Sequence, residues 1–196
     1  LAVKIGFKKQ LFDVVKAAEL CQSLTDTPTG IESVLALEED FKHIGNSLKD
    51  CTDAFFIGRG SSYPIAMEGA LKLKEISYIH AEGFGAGELK HGPIALIEKD
   101  VPVFVIAPDD SLIEKTRSNM EEVISRGGRC ILIGDESSTK GLEASDIQCL
   151  TLPDTNELIS PIYYVVALQL IAYYAALAKG TDVDQPRNLA KSVTVE

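Results

Sequence analysis

The sequence AFFIGRGSSYP at residues 54–64 decides the fold class. Its first four residues are apolar and include two phenylalanines and an isoleucine, a composition typical of a buried strand. Two glycines and two serines follow, and the proline lies at the start of a segment with helical periodicity that reaches residue 77. A strand that passes through a glycine-rich loop into a helix is the first half of a βαβ unit.

Similar apolar runs recur at residues 101–107, 130–133 and 147–152, and a weaker fifth candidate lies at 78–84. Helical segments at 112–126 and 158–179 alternate with them. Strands that are apolar on both faces are typical of a parallel sheet that helices cover on each side. We therefore predict an α/β fold, a three-layer αβα sandwich.

The first 48 residues predict two lead-in helices, at 9–20 and 31–48, before this sandwich. Apolar residues of the second recur at steps of three and four and predict a single packing stripe, made of Val34, Leu37, Phe41, Ile44 and Leu48. Residues 25–30 lie between them, and we expect Pro28 and Gly30 to break both helices there. We divide the chain into lead-in helices at 1–48, the α/β domain at 49–180, where Gly180 caps the last helix, and a C-terminal tail at 181–196.

Composition excludes several classes of protein. The 196 residues carry 19 basic and 29 acidic side chains, a net charge of −10, which argues against a nucleic-acid partner. The longest apolar stretch, 162–177, is shorter than a membrane span and contains Gln169, so we predict a buried helix and no membrane partner. No secretory leader is recognisable, and four scattered cysteines predict reduced thiols in the cytoplasm.

The loop after the first strand could bind an anion. The glycines allow a sharp turn, and Gly60, Ser61 and Ser62 would present N–H and O–H donors beside a helix N-terminus. The alternative is that one of the two serines only caps the helix, and we expect such a cap in either case. Pro64 has no N–H to give, so a dinucleotide site is not indicated.

Two further places carry reactive side chains. Glu68, Lys72 and Glu75 share one face of the helix after this loop, either as a solvated ion-paired face or, for Glu75 near the helix end, as a general base. His91 is followed by Gly92 and Pro93, which force a turn from which the imidazole can project. Three scattered histidines do not suggest a metal site, and we expect no cofactor.

These residues resemble the glutamine–fructose-6-phosphate aminotransferase family, the glucosamine-6-phosphate synthases. The resemblance rests on the sequences GALKLKEISY at 69–78, GELKHGP at 87–93 and DVDQPRNLAKSVTVE at 182–196. It implies that residues 49–180 are the second of the family's two sugar isomerase (SIS) domains. It also implies a five-stranded parallel sheet in the order 2-1-3-4-5.

The resemblance also implies the roles of individual residues. Lys191 would form a Schiff base with the open-chain ketose, and Glu75 would move a proton between C1 and C2 of the sugar. His91 would open the sugar ring in the site of a neighbouring subunit, which implies a homodimer. Lys72 would stabilise the enolamine intermediate, and the backbone of Ala190 would contact the sugar.

The substrates implied are fructose-6-phosphate and glucosamine-6-phosphate, in hexosamine biosynthesis. The resemblance implies that the family's glutaminase domain and first SIS domain are missing from this sequence, and that a Ser/Thr-rich loop of the first SIS domain mainly holds the substrate phosphate. We therefore expect little activity from the chain alone. Ser61 and Ser62 could still hold the phosphate, and the alternative function is a stand-alone SIS module that binds a phosphosugar without catalysis.

Overall fold

Five parallel strands form one sheet in a computed structural model that describes residues 1–142 and 147–187. The strands are β1 (Asp53–Gly58), β2 (His80–Gly85), β3 (Pro102–Ile106), β4 (Arg129–Gly134) and β5 (Gln148–Thr151). Their order is β2-β1-β3-β4-β5, and every neighbouring pair is parallel. The five predicted strands, including the weak candidate at 78–84, and the implied order are confirmed.

Helices connect and cover these strands. They are α1 (Ala2–Lys8), α2 (Val14–Leu35), α3 (Glu38–Ser47), α4 (Ser62–Ser77), α5 (Ile113–Ile124), α6 (Glu136–Thr139) and α7 (Ser160–Lys179), with 3₁₀ helices at Ala86–His91 and Pro93–Leu96. The predicted helices at 64–77, 112–126 and 158–179 correspond to α4, α5 and α7. The sequence did not predict α6, because four residues are too few to show a helical period.

Alternate residues of each strand point to opposite faces, and both faces are buried. On one face Phe56 and Phe104 stack with ring centroids 4.4 Å apart, in a core cluster that includes side chains of α3, α4 and α7. On the other face Phe55 and Leu132 belong to a second cluster with α5 and the Ala86–His91 helix. The predicted three-layer sandwich is confirmed, with one apolar core on each side of the sheet.

The predicted helix break at residues 25–30 is wrong, because α2 continues through it from Val14 to Leu35. Pro28 deletes only its own backbone hydrogen bond. The hydroxyls of Thr25 and Thr27 add hydrogen bonds of 3.0 and 2.9 Å to the carbonyls of Cys21 and Ser23 in the preceding turn. The carbonyl that Pro28 leaves without its helical donor is that of Leu24, an exposed residue, so water can take the place of the missing N–H and a single proline is tolerated.

Gly30 is a point of close approach between helices and does not break α2. A Cβ atom at this position would overlap the hydroxyl and ring of Tyr163, which lies in α7. Glycine is therefore needed for packing between α2 and α7. A rule that assigns glycine to loops cannot predict this contact, because Gly30 and Tyr163 are 133 positions apart in the sequence.

The chain turns after α2 at Ala36 and Leu37, within the segment predicted as one helix at 31–48. The apolar stripe predicted there is nonetheless buried: Val34 on α2 and Phe41 and Ile44 on α3 are each at most 1% exposed. The periodicity identified the inward-facing side chains correctly and placed them on one helix where the structure has two.

Helix α7 has the length and apolar composition that could cross a membrane. Within the described residues it instead packs against α3 and α4, and Tyr164, Leu168 and Ile171 belong to the core cluster of that face. The helix ends at Gly180, whose φ of +72° is the left-handed conformation of a glycine cap. Its predicted place as a buried helix is confirmed.

Candidate functional site

An ion-paired group of side chains lies on the last three turns of α4. The ammonium of Lys72 donates a hydrogen bond of 2.7 Å to Glu75 Oε2 and lies 3.7 Å from Glu68 Oε1. The pKa of Lys72 is raised above its usual value, mainly by the hydrogen bond to Glu75. About 31% of the Lys72 side chain and 27% of the Glu75 side chain are exposed, so both are accessible to a small ligand.

Glu75 lines a groove beside the edge strand β2. The groove has a volume of about 520 Å³ and is lined by Leu71, Lys74, Glu75, Tyr78, Ile79, His80 and Arg187. A second groove of about 620 Å³ shares Leu71 and Lys74 with it and continues along α4 towards Pro64. Spaces of this size accommodate a sugar phosphate.

The C-terminal segment returns to this end of α4 after α7. Thr181 Oγ1 donates a hydrogen bond of 2.6 Å to the carbonyl of Ile76, and the Arg187 N–H donates one of 2.8 Å to the hydroxyl of Tyr78. The Arg187 guanidinium also stacks over the Tyr78 ring, 4.2 Å from its centroid. Residues 181–187 are therefore tied to the helix end that carries Glu75.

Two of the predicted site residues, Ala190 and Lys191, lie outside the described residues, as does the rest of the tail from residue 188. Their predicted roles stay predictions. The last described residue, Arg187, is four positions before Lys191 and lines the same groove as Glu75.

His91 lies on the other side of the sheet from Glu75. It is the exposed last residue of the Ala86–His91 helix, which follows the carboxyl end of β2 and packs against α5. Glu75 is at the end of α4, which runs back to the amino end of β2. Within one chain the two side chains face different surfaces, so this fold does not bring them together.

The helix that carries His91 is held by polar contacts that the sequence did not reveal. Arg59, in the loop after β1, donates hydrogen bonds of 3.2 and 2.7 Å to the side-chain carbonyl of Asn119 in α5. A Cβ at Gly87 would lie 3.3 Å from Arg59 Nη1, so glycine permits this approach. Lys90 also forms an ion pair of 2.7 Å with Glu122. These contacts fix the turn that presents His91.

The loop with Gly60, Ser61 and Ser62 lies at the opposite end of α4 from Glu75. At 1.5 Å per helical residue, Ser61 and Glu75 are roughly 20 Å apart along the axis. A single hexose phosphate bound at Glu75 cannot also reach this loop. Gly60, Ser61 and Ser62 as substrate-binding residues stay a prediction, and any anion there would occupy a separate place.

The predicted hydroxyl cap of α4 is wrong. Ser61 occupies the N-cap position but makes no side-chain capping bond, because its backbone is helical (φ −64°, ψ −22°) where a capping serine is extended. The N–H groups of Ser62 and Tyr63 already donate to the carbonyls of Arg59 and Gly60. The Ser62 hydroxyl is buried without a hydrogen-bond partner among the described residues.

A small cavity next to Ser61 is bordered by acidic residues. Asp109 and Asp110 follow β3, Asp135 follows β4, and Glu157 precedes α7. This negative lining argues against a phosphate beside Ser61. The described residues contain no group of three or more His, Cys, Asp or Glu side chains arranged to hold a metal ion.

A model of the SIS domain family matches residues 47–179. The chain is 52% identical over all 196 residues to a glutamine–fructose-6-phosphate aminotransferase (isomerizing) of Mesorhizobium japonicum, and 48% identical over 197 aligned positions to that of Haemophilus influenzae. It spans about a third of the length of these relatives, 32% in each case.

Solved structures with the same fold include one of an aminotransferase with a similar name. The C-terminal domain of glucosamine-fructose-6-phosphate aminotransferase from Francisella tularensis superposes with a TM-score of 0.85 at 40% identity, over 89% of this chain and 49% of that one. The tagatose-6-phosphate ketose/aldose isomerase of Escherichia coli gives 0.69 at 19% identity, over 83% and 46% of the two chains. The second likeness concerns the fold alone.

Proposed function

This chain belongs to the SIS domain family, and from that premise we propose that it is the C-terminal isomerase domain of a glutamine–fructose-6-phosphate aminotransferase. The full enzyme would convert fructose-6-phosphate and an amino group from glutamine into glucosamine-6-phosphate. The identity of about half of all positions to enzymes of that name, over the whole chain, supports this assignment.

The chemistry assigns one task to each reactive side chain. Lys191 forms an imine with the open-chain ketose, which requires an unprotonated amine at the moment of attack. Ammonia then displaces the Lys191 amine from this imine, which frees the lysine and leaves fructosimine-6-phosphate. Glu75 removes a proton from C1 of that imine and returns it to C2, as a general base and acid. The positive charge of Lys72, 2.7 Å from Glu75, stabilises negative charge that develops on the enolamine.

The observation that carries the proposal is the groove shared by Glu75 and Arg187. Arg187 is anchored to Tyr78 at the end of α4, and Lys191 follows four residues later. Four extended residues span at most about 14 Å, so the chain length allows Lys191 to reach a sugar bound beside Glu75. Ala190 would contact that sugar through its backbone.

His91 requires a second subunit in this proposal. Since it faces away from Glu75 within one chain, it would open the sugar ring in the site of a neighbouring copy, and the enzyme would be a homodimer. We further propose that the enzyme is cytoplasmic. The division into lead-in helices at 1–48, an SIS domain at 49–180 and a tail at 181–196 belongs to the same proposal.

Phosphate binding is assigned to a first SIS domain supplied by the rest of the enzyme. The chain covers 32% of its relatives' length, which leaves room for that domain and a glutaminase domain. The groove at Glu75 contains Lys74 and Arg187 but no serine- or threonine-rich loop among its described lining residues. The isolated chain should therefore bind substrate weakly and turn it over little.

The test is reconstitution of the reaction. The chain is joined to the upstream domains of the Mesorhizobium relative, and glucosamine-6-phosphate is measured from fructose-6-phosphate with ammonia. We expect activity in the fusion, little in the chain alone, and loss of activity in Lys191→Ala. Borohydride should trap a covalent adduct with the ketose in the fusion and not in Lys191→Ala. A folded fusion that lacks both activity and adduct would overturn the proposal.

A further inference from the structure

A second, smaller cavity lies at the carboxyl ends of the strands, at the far end of α4 from Glu75. Its volume is about 50 Å³, room for a few water-sized groups and too little for a hexose phosphate. Its lining residues are Ser61, Pro108, Asp109, Asp110, Asp135, Pro153, Thr155, Glu157, Ser160 and Tyr164.

The lining of this strand-end cavity has a strong negative charge. Four of its residues are acidic and none of those described is basic. The N-termini of α4 and α7, at Ser61 and Ser160, also meet there, and each carries roughly half a positive charge. Together they offset about one carboxylate, so an excess of negative charge remains for a bound group to neutralise.

Two of the carboxylates are held in place by backbone donors. Asp135 accepts hydrogen bonds of 2.9 and 2.7 Å from the N–H groups of Ser138 and Asp109, and Asp110 accepts one of 2.7 Å from Leu112. Both residues are half-buried. Fixed carboxylates with lone pairs to spare are preorganised acceptors for N–H donors.

One lining residue carries a buried hydroxyl without a partner. Tyr164 is 3% exposed, and its hydroxyl has no hydrogen-bond partner among the described residues. Burial, with the nearby charges of Asp135 and Asp110, raises the pKa of Tyr164, so the phenol stays protonated. A buried hydroxyl without a partner destabilises the fold, and a group that bridges it to a carboxylate would remove that cost.

We infer that this cavity binds a small cationic N–H donor, an ammonium ion or the ammonium group of an amine, between the Tyr164 hydroxyl and the carboxylates of Asp110 and Asp135. An ammonium group donates several hydrogen bonds at once and supplies the missing positive charge. Water would satisfy the hydroxyl but not the charge, and a phosphate would add to the negative excess. The site is separate from the groove at Glu75 and independent of the function proposed there.

The test is a titration of the chain with ammonium chloride, followed by amide NMR at constant ionic strength. Potassium chloride and tetramethylammonium chloride are the reference salts, since neither ion donates N–H hydrogen bonds. We expect saturable shifts of the Ser61, Asp110 and Asp135 amides with ammonium. At least tenfold weaker effects are expected with the two reference ions. Methylammonium distinguishes an amine from the free ion as the preferred ligand.

Two variants locate the binding. Tyr164→Phe removes the unpartnered hydroxyl, and Asp110→Asn removes a charge but keeps an oxygen to accept the Leu112 hydrogen bond. Each should weaken ammonium binding at least fivefold, while Tyr173→Phe, on the partly exposed side of α7, should not change it. No saturable shift up to roughly 0.1 M ammonium, an equal response to potassium, or unchanged binding in both folded variants would overturn the inference.

Discussion

The ammonium of Lys72 donates a hydrogen bond of 2.7 Å to the carboxylate of Glu75, one helical turn further along α4. The contact raises the pKa of Lys72, because the charged amine has a partner in the folded chain that it lacks in the unfolded one. Its contribution to stability is therefore fully present below the unfolded pKa of Lys72 and is lost as pH rises through the raised value. Throughout the neutral range Lys72 stays positively charged beside Glu75.

The first prediction concerns Glu75 in the reconstituted enzyme. Glu75→Gln keeps the size of the side chain and removes its ability to take up a proton. We expect the rate of glucosamine-6-phosphate formation to fall by about 10²- to 10⁴-fold, the usual contribution of a general acid–base group. Steady-state assays with ammonia as donor measure this, and substrate binding should change much less than turnover.

Glu68→Gln is the matched control, since Glu68 also faces Lys72 but at 3.7 Å and from the other side. It removes a carboxylate from the same helix and should leave most of the activity. Equal losses in the two variants would mean that the helix needs its charge pattern only for structure, and Glu75 would lose its catalytic role.

A second prediction tests the contact between α2 and α7. Gly30→Ala inserts a methyl group where the Tyr163 hydroxyl and ring already lie. The helices must move apart, and we expect the free energy of unfolding to fall by about 1–3 kcal/mol, the usual cost of overpacking. Chemical denaturation measures the change. Tyr163→Phe removes the closest atom, so the double variant should recover part of the loss; strictly additive effects would contradict the contact.

The N-terminal helices show what a single sequence can and cannot predict. The spacing of Val34, Phe41 and Ile44 identified buried side chains correctly, because burial follows local periodicity. Local preferences alone predict helix breaks at Pro28 and Gly30. Both residues lie inside α2 instead: Pro28 removes one hydrogen bond, to the carbonyl of the exposed residue Leu24, and Gly30 is needed for contact with Tyr163 of a distant helix.

The third prediction concerns thiol reactivity. Burial raises the pKa of the Cys130 thiol to about 12, with a smaller effect of Cys149, whereas Cys21 is exposed. At pH 8 a thiol-reactive disulfide reagent should label Cys21 rapidly and Cys130 only when the chain unfolds. Mass spectrometry of timed samples distinguishes them, with fully denatured protein as the control. Labelling of Cys130 at the rate of Cys21 would contradict this burial.

The raised pKa of the Cys130 thiol also predicts how stability depends on pH. The unfolded thiol ionises near 9 and the folded one near 12, so between these values only the unfolded state gains free energy from ionisation. Stability should therefore decrease as pH rises above about 9. Thermal unfolding at several pH values measures the slope, and Cys130→Ala should have a shallower one; an unchanged slope would assign the loss to other groups.

The sequence proposes residues for the candidate site but does not predict how they are arranged in space. Glu75 is proposed because it lies near a helix end, and His91 because Gly92 and Pro93 force a turn after it. Both are local features of the sequence. Their separation by the sheet follows from the direction of α4 and from the packing of the Ala86–His91 helix on α5. The hydrogen bonds between Arg59 and Asn119 could not be predicted from the sequence, since the two residues are 60 positions apart.

The last prediction uses this separation to test the dimer. If His91 serves the partner's site, a subunit with Glu75→Gln and a subunit with His91→Ala can form one intact site between them. The other site of that mixed dimer contains both substitutions. Random mixing of the two variants gives half mixed dimers, each with one intact site in two. About a quarter of the wild-type activity should return in a closed twofold dimer.

Each variant measured alone should be nearly inactive, because every site then lacks either the carboxylate or the imidazole. If His91 instead acted on the site of its own chain, every site in the mixed dimer would contain one substitution and mixing would restore nothing. Mixing Glu75→Gln with Lys72→Ala supplies the control, since both residues lie on one helix of one chain and cannot complement each other across subunits. Recovery in the first mixture and none in the second requires that His91 and Glu75 of one active site come from different chains.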